Sequence, residues 1–164
     1  MWPHARLARL ITFWPQELPD LIQIAPEQMG GIVRTIPMVT RMQLIPVLFE
    51  RLDDALDKAS VFYAGPQTAL YRIDGDEMEV RIGVPLFQPI EGFEMFEAPG
   101  GNALCQRVLG PLDGLPAVYR SLTDEIAARG LTRGIWAREV YRFIAKDASL
   151  NVTDVSIEVT NALH

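Results

Sequence analysis

The chain has 164 residues, of which 49% are hydrophobic and 22% charged, enough for one globular domain with a sizeable core or for two small fused halves. Its formal charge of −6 comes with no compensating basic patch, because Arg6, Arg9, Arg129, Arg133, Arg138 and Arg142 are dispersed among acids, so direct nucleic-acid contact is not expected. The histidines, His4 and His164, lie near the ends and leave none inside for a triad or metal cluster, and the single Cys105 excludes an intrachain disulfide.

Residues 1–20 read as a short amphipathic arm bounded by Pro3 and Pro15, with room for one helix but not for a helix-turn-helix. That arm lacks the apolar core and cleavage site of a secretory leader, and no apolar run approaches the ~20 residues that span a bilayer. A cytoplasmic protein without a membrane partner is expected. Beyond the arm, extended segments are expected over Leu21 to Ala25 and Ile32 to Val39, with Gly30-Gly31 as the turn between them. Neither this pair nor Gly100-Gly101 has the spacing of a phosphate loop. A helix follows over Leu44 to Ala59, with Ile45, Leu48, Phe49, Leu52 and Leu56 at the spacing of one apolar face. Its acids Asp53, Asp54 and Asp57 read as a solvated face. Strands Ala69 to Ile73 and Met78 to Leu86 come next, joined at Asp74-Gly75, a hairpin signal. Met78, Val80, Ile82 and Val84 alternate with Glu79, Arg81 and Gly83, so one face is buried and the other wet.

Gln88 to Gly92 links this to a second copy of the same order. Phe93 to Ala98 and Ala103 to Leu109 are its extended segments. Leu115 to Arg129 is its helix, with Asp113 as N-cap, Pro116 in the first turn and Gly130 as stop signal. Trp136 to Ile144 and Val152 to Val159 are its final strands. Shifting the chain by 70 residues lays Gly30 on Gly100, Pro46 on Pro116, Leu52 on Leu122, Asp54 on Asp124 and Tyr71-Arg72 on Tyr141-Arg142. Two copies of one unit is the simplest account. The expected fold is therefore α+β: two pseudo-symmetric halves, about 21–88 and 89–164, with antiparallel sheet, one main helix per half and a central cleft.

Within the run Ile135-Trp136-Ala137-Arg138-Glu139-Val140-Tyr141-Arg142-Phe143-Ile144, Glu139 is the lone carboxylate of an otherwise apolar and aromatic strand. Alternation places it with Ala137, Tyr141 and Phe143. A buried carboxylate has to be paired, protonated or left facing a cation. Arg72, Arg138 and Arg142 are the candidate ion-pair partners, and a solvated position is the other ordinary reading. Tyr71 and Tyr141 occupy equivalent places, so a pseudo-twofold axis would set them on opposite walls of one cleft. Phe49 and Tyr119 correspond too, on helix faces assigned to the core. Cys105 reads as a small buried hydrophobe.

Four features together resemble the GyrI-like effector-binding domain, found alone or as the ligand sensor of AraC-type and MerR-type multidrug-responsive regulators. They are Gly65-Pro66 followed by Ala69-Leu70-Tyr71; Val80-Arg81-Ile82-Gly83-Val84-Pro85; Pro99-Gly100-Gly101 leading to Gly110-Pro111 and the helix carrying Tyr119; and Glu139-Val140-Tyr141. The resemblance covers about residues 21–160. It departs at Arg138, where the family places tryptophan, Trp136 standing upstream instead. What it implies is a stand-alone small-molecule binding domain without its own DNA-binding part, monomeric or homodimeric and with no cofactor or metal. Its ligand would be lipophilic and aromatic or cationic, held by Glu139 and lined by Tyr141, Tyr71, Phe143, Tyr119 and Trp136. An enzyme is the less favoured reading: a hydrolase of strained or cyclopropyl-bearing compounds with Glu139 as catalytic acid or base. A protein-sequestering, gyrase-inhibitor-like module is a further alternative, and it calls for an exposed apolar patch.

Overall fold

The computed structural model describes residues 19–60 and 65–160. The arm expected over residues 1–20 lies outside them, apart from its last two positions. Among the described residues, eight strands and two α-helices run in the order β1 (Asp20–Ile24), β2 (Glu27–Pro37), α1 (Arg41–Ala59), β3 (Thr68–Asp74), β4 (Glu77–Pro85), β5 (Glu94–Ala98), β6 (Gly101–Leu109), α2 (Leu115–Ala128), β7 (Arg133–Phe143) and β8 (Val152–Val159). This is the α+β architecture expected. All strands join one antiparallel sheet in the order β1-β6-β8-β7-β3-β4-β2-β5.

Reading that order backwards and exchanging each strand for its counterpart four places along reproduces it. A pseudo-twofold axis thus passes between β3 and β7, where Ala69 pairs with Glu139. These two positions are also related by the 70-residue shift, so the carboxylate sits on the axis opposite its own duplicate position. Alanine there leaves Glu139 the space that a second large side chain would take.

Each half gives its first strand to the other: β1 pairs with β6, and β5 with β2. In a flat sheet β1 and β2 would lie six strand spacings apart, about 29 Å, whereas the three Cα steps from Ile24 to Glu27 reach at most ~11 Å. The sheet must therefore roll until its ends meet. The links do meet: a Cβ on Gly100 would lie 2.6 Å from the Pro26 nitrogen and 2.7 Å from the Ile24 carbonyl oxygen. Rolling buries Met29, Leu70, Phe96 and Ala98 on the face away from the helices, with Trp136 packed against them. On the other face α1 places Leu48, Leu52 and Leu56 over Val80, Ile82 and Val84, while α2 places Leu115, Leu122 and Ile126 over Leu104, Val155 and Ile157.

Three local expectations need correction. Gly30-Gly31 is no turn; it lies inside β2 opposite Val84 and Gly83, because backbone and side chains approach too closely there for a Cβ. One added at Gly31 would stand 2.0 Å from the Ile82 carbonyl oxygen. Gly31→Ala is expected to cost about 1 to 3 kcal/mol of stability, as overpacking does, and a urea midpoint equal to that of the parent would refute the account. Helix α1 starts at Arg41 instead of Leu44, following a 3-10 turn over Met38–Thr40, so Pro46 falls inside it and leaves the carbonyl of the exposed Met42 without its helical donor. Asp113 does not cap α2 either: it lies in the 3-10 turn Leu112–Gly114, and Gly114 takes the cap position with no side-chain bond.

Candidate functional site

Strand alternation aims Ala137, Glu139 and Tyr141 at the helix-bearing face of the sheet. Glu139 is only 6% exposed. Its Oε1 accepts a hydrogen bond of 2.7 Å from the Tyr119 hydroxyl, which reaches down from α2. Its Oε2 accepts a short hydrogen bond from the Tyr141 hydroxyl. With its one proton committed to the carboxylate, Tyr141 can only accept from Tyr71, to which it is also hydrogen-bonded. Phe49 closes the group, its ring meeting that of Tyr141 edge-on at 5.4 Å and 83°. Phe49/Tyr119 and Tyr71/Tyr141 are two pairs of equivalent positions around the axis. Tyrosine stands where the axis residue is Glu139 and can accept its proton; phenylalanine stands in the half whose axis residue is Ala69.

Burial pushes the Glu139 carboxyl above the ordinary carboxylate range, and the hydrogen bonds from Tyr141 and Tyr119 pull it part of the way back. Burial, reinforced by the charge of Glu139, holds all three phenols above their usual value, so they remain neutral donors. No cation offsets the carboxylate among the described residues. Arg72 pairs with Glu79 at 2.5 Å, Arg142 with Asp154 at 2.8 Å, and Arg138 donates to the Pro99 carbonyl at 2.6 Å on the opposite face of the sheet.

A cavity of about 610 Å³ opens beside Tyr141, within the size range of small-molecule sites. Phe49 and Asp53 of α1, Gln67, Leu112, the end of β7 from Tyr141 to Phe143, and Ile144 just beyond it line it. Tyr141 is the shared wall, with the cavity on one side and the carboxylate on the other. Phe143, 54% exposed, sits at the rim after a one-residue slip in the β7–β8 register.

The structure therefore brings Glu139, Tyr141, Tyr71 and Tyr119 into one hydrogen-bonded group and sets Phe143 on the cavity next to it. Trp136 stands apart. The β7–β8 register is irregular between Arg133 and Ala137, but β7 pairs with β3 without a break from Trp136 opposite Arg72 to Glu139 opposite Ala69, so alternation turns Trp136 to the far face. The surplus backbone N–H groups of Ile135 and Trp136 donate to Glu158 at 2.8 and 3.1 Å. The Trp136 ring lies under the guanidinium groups of Arg81 at 4.6 Å and Arg72 at 5.6 Å, which cover it. Sequence reasoning gave Phe49 to the core and Asp53 to solvent, and passed over Gln67. The correspondence of Phe49 with Tyr119 was the available signal for the first. Cys105 is half-buried, and burial pushes its thiol up to about 11, as for an inert thiol.

No family model matches the sequence, and no curated protein matches it either. Similarity appears in solved structures, at the level of the fold. SAV2435 bound to tetraphenylphosphonium superimposes with a TM-score of 0.73 at 13% identity, over 88% of this chain and 94% of that one. The EcmrR C-terminal domain gives 0.65 at 19% identity, over 87% and 97%. A hydrolase from Listeria innocua gives 0.55 at 10% identity, over 94% and 98%. The fold implied by the resemblance to GyrI-like effector-binding domains is thus the fold observed.

Proposed function

We propose that the protein is a small-molecule binding domain of the kind that senses effectors in transcription regulators, and that its ligand is a lipophilic aromatic cation. One observation carries the reading: a buried carboxylate whose partners among the described residues are tyrosine hydroxyls and not cations, behind the wall of an aromatic-lined cavity of about 610 Å³. Such a charge is attractive to a cation that sheds its own water, and a ring face adds about 0.5 to 2 kcal/mol. With apolar burial, the total reaches the ~8 kcal/mol of micromolar affinity. The ligand of SAV2435, a cation surrounded by phenyl rings, supports this chemistry at similar backbone geometry.

Titration calorimetry with tetraphenylphosphonium and the neutral triphenylphosphine oxide tests it. The cation is expected to bind at micromolar concentration and to raise the melting temperature, and the neutral compound to bind at least about tenfold more weakly. Equal affinity for the two, or no binding of the cation, would remove the proposal. A second reading, hydrolysis with Glu139 as acid or base, is favoured by its upward pKa and by the tyrosine chain that could orient a substrate. Multiple turnovers of an ester or cyclopropyl compound, lost in Glu139→Gln, would establish it; at most stoichiometric consumption would reject it.

A further inference from the structure

We infer that Asp53 forms a second cation subsite at the mouth of the cavity, so that the preferred ligand carries two positive groups on a rigid aromatic body. The inference rests on the proposed reading of Glu139 as a counter-charge and extends it to a second group. Among the described residues, the formally charged ones that line the cavity are Asp53 and Arg142. The charge of Arg142 is matched by Asp154, whose carboxylate also binds Arg107 at 2.7 Å. Asp53 has no such match among the described residues: its Oδ1 accepts from the neutral Gln67 amide at 2.7 Å, which leaves its negative charge unneutralised by that partner.

That carboxylate is held in place by more than its own helix. The Gln67 carbonyl oxygen accepts from the Tyr141 backbone N–H at 3.0 Å, so Asp53, Gln67 and Tyr141 are tied in series. Glu139 lies two residues further along the same strand. Strand rise alone puts about 7 Å between that tie and Glu139, and the side chains add a few more. Two carboxylates thus flank Tyr141, one deep and one at the mouth, with aromatic wall between them. A biaryl lying along the Tyr141 ring would hold one cationic nitrogen at Asp53 and the other against the ring, on the side of the cavity nearest Glu139. A monocation would satisfy Glu139 and leave Asp53 facing water.

The test compares two ligands of nearly identical shape, the monocation N-methyl-phenylpyridinium and the dication N,N′-dimethyl-bipyridinium, by calorimetry at low and high salt. Wild type is expected to prefer the dication by about threefold to fivefold at low salt, with the preference shrinking as salt screens the exposed carboxylate. Asp53→Asn, an isosteric change at an exposed position, is expected to abolish the preference, the dication losing more affinity than the monocation. Glu139→Gln is expected to weaken both ligands. A wild type without preference, or an Asp53→Asn variant that keeps it, would overturn the second subsite while the role of Glu139 stands. Failure of both ligands to bind would overturn the two readings together.

Discussion

Glu139→Gln is expected to weaken tetraphenylphosphonium binding by about 1 to 3 kcal/mol, and to make the empty protein more stable at pH above the titration of Glu139. Both effects have one cause. The wild-type carboxyl group is buried, its partners among the described residues are phenol donors, and burial holds its pKa above the unfolded value. A carboxyl group whose folded pKa is raised contributes stability that is fully present below the unfolded value, about 4.3, and is lost as pH rises through the folded one. Glutamine does not titrate. Urea melts over a pH series should therefore show wild type falling behind the variant as pH rises through the titration of Glu139, while calorimetry shows the variant losing the cation. A stability difference constant across pH, or an unchanged affinity, would contradict the account. The group most costly to the empty fold would then be the one that recognises the ligand, a trade seen wherever a site carries strain or unpaired charge.

Leu122→Ala is expected to cost about 3 to 4 kcal/mol, within the range for a fully buried leucine whose neighbours cannot close the gap. Leu122 is 0% exposed and sits in the core beneath α2, as Leu52 does beneath α1 at the equivalent position. Leu52→Ala should cost a similar amount. Both variants are further expected to unfold in one transition, although each lesion lies in one half. The halves exchange β1 and β5, so neither retains a complete sheet once the other opens. Tryptophan fluorescence and far-ultraviolet circular dichroism should give coincident urea curves. Two separated transitions would show that the halves fold independently.

The helix that carries Leu52 and the strand that carries Val80 were legible because periodicity is local: burying one face of one element requires apolar residues at a fixed spacing within that element. Glu139 was legible for a related reason, as a carboxylate that breaks such a pattern. The duplication was visible as matching residues 70 apart, from Gly30 and Gly100 to Tyr71 and Tyr141. Gly30-Gly31 was misread because glycine serves both tight turns and close backbone approach, and only the partner strand tells them apart.

Local pattern was enough to read the order of elements, the face each one buries, and the carboxylate that interrupts an apolar strand. Long-range packing settled that the sheet rolls and exchanges its first strands, that Glu139 meets two tyrosine hydroxyls and no arginine among the described residues, and that Phe49, Asp53 and Gln67 join the cavity. The division follows from range. An element's own pattern is set by residues a few positions apart, but which element lies opposite depends on how two-residue links bring the far edges of a sheet together, and no local spacing encodes that closure.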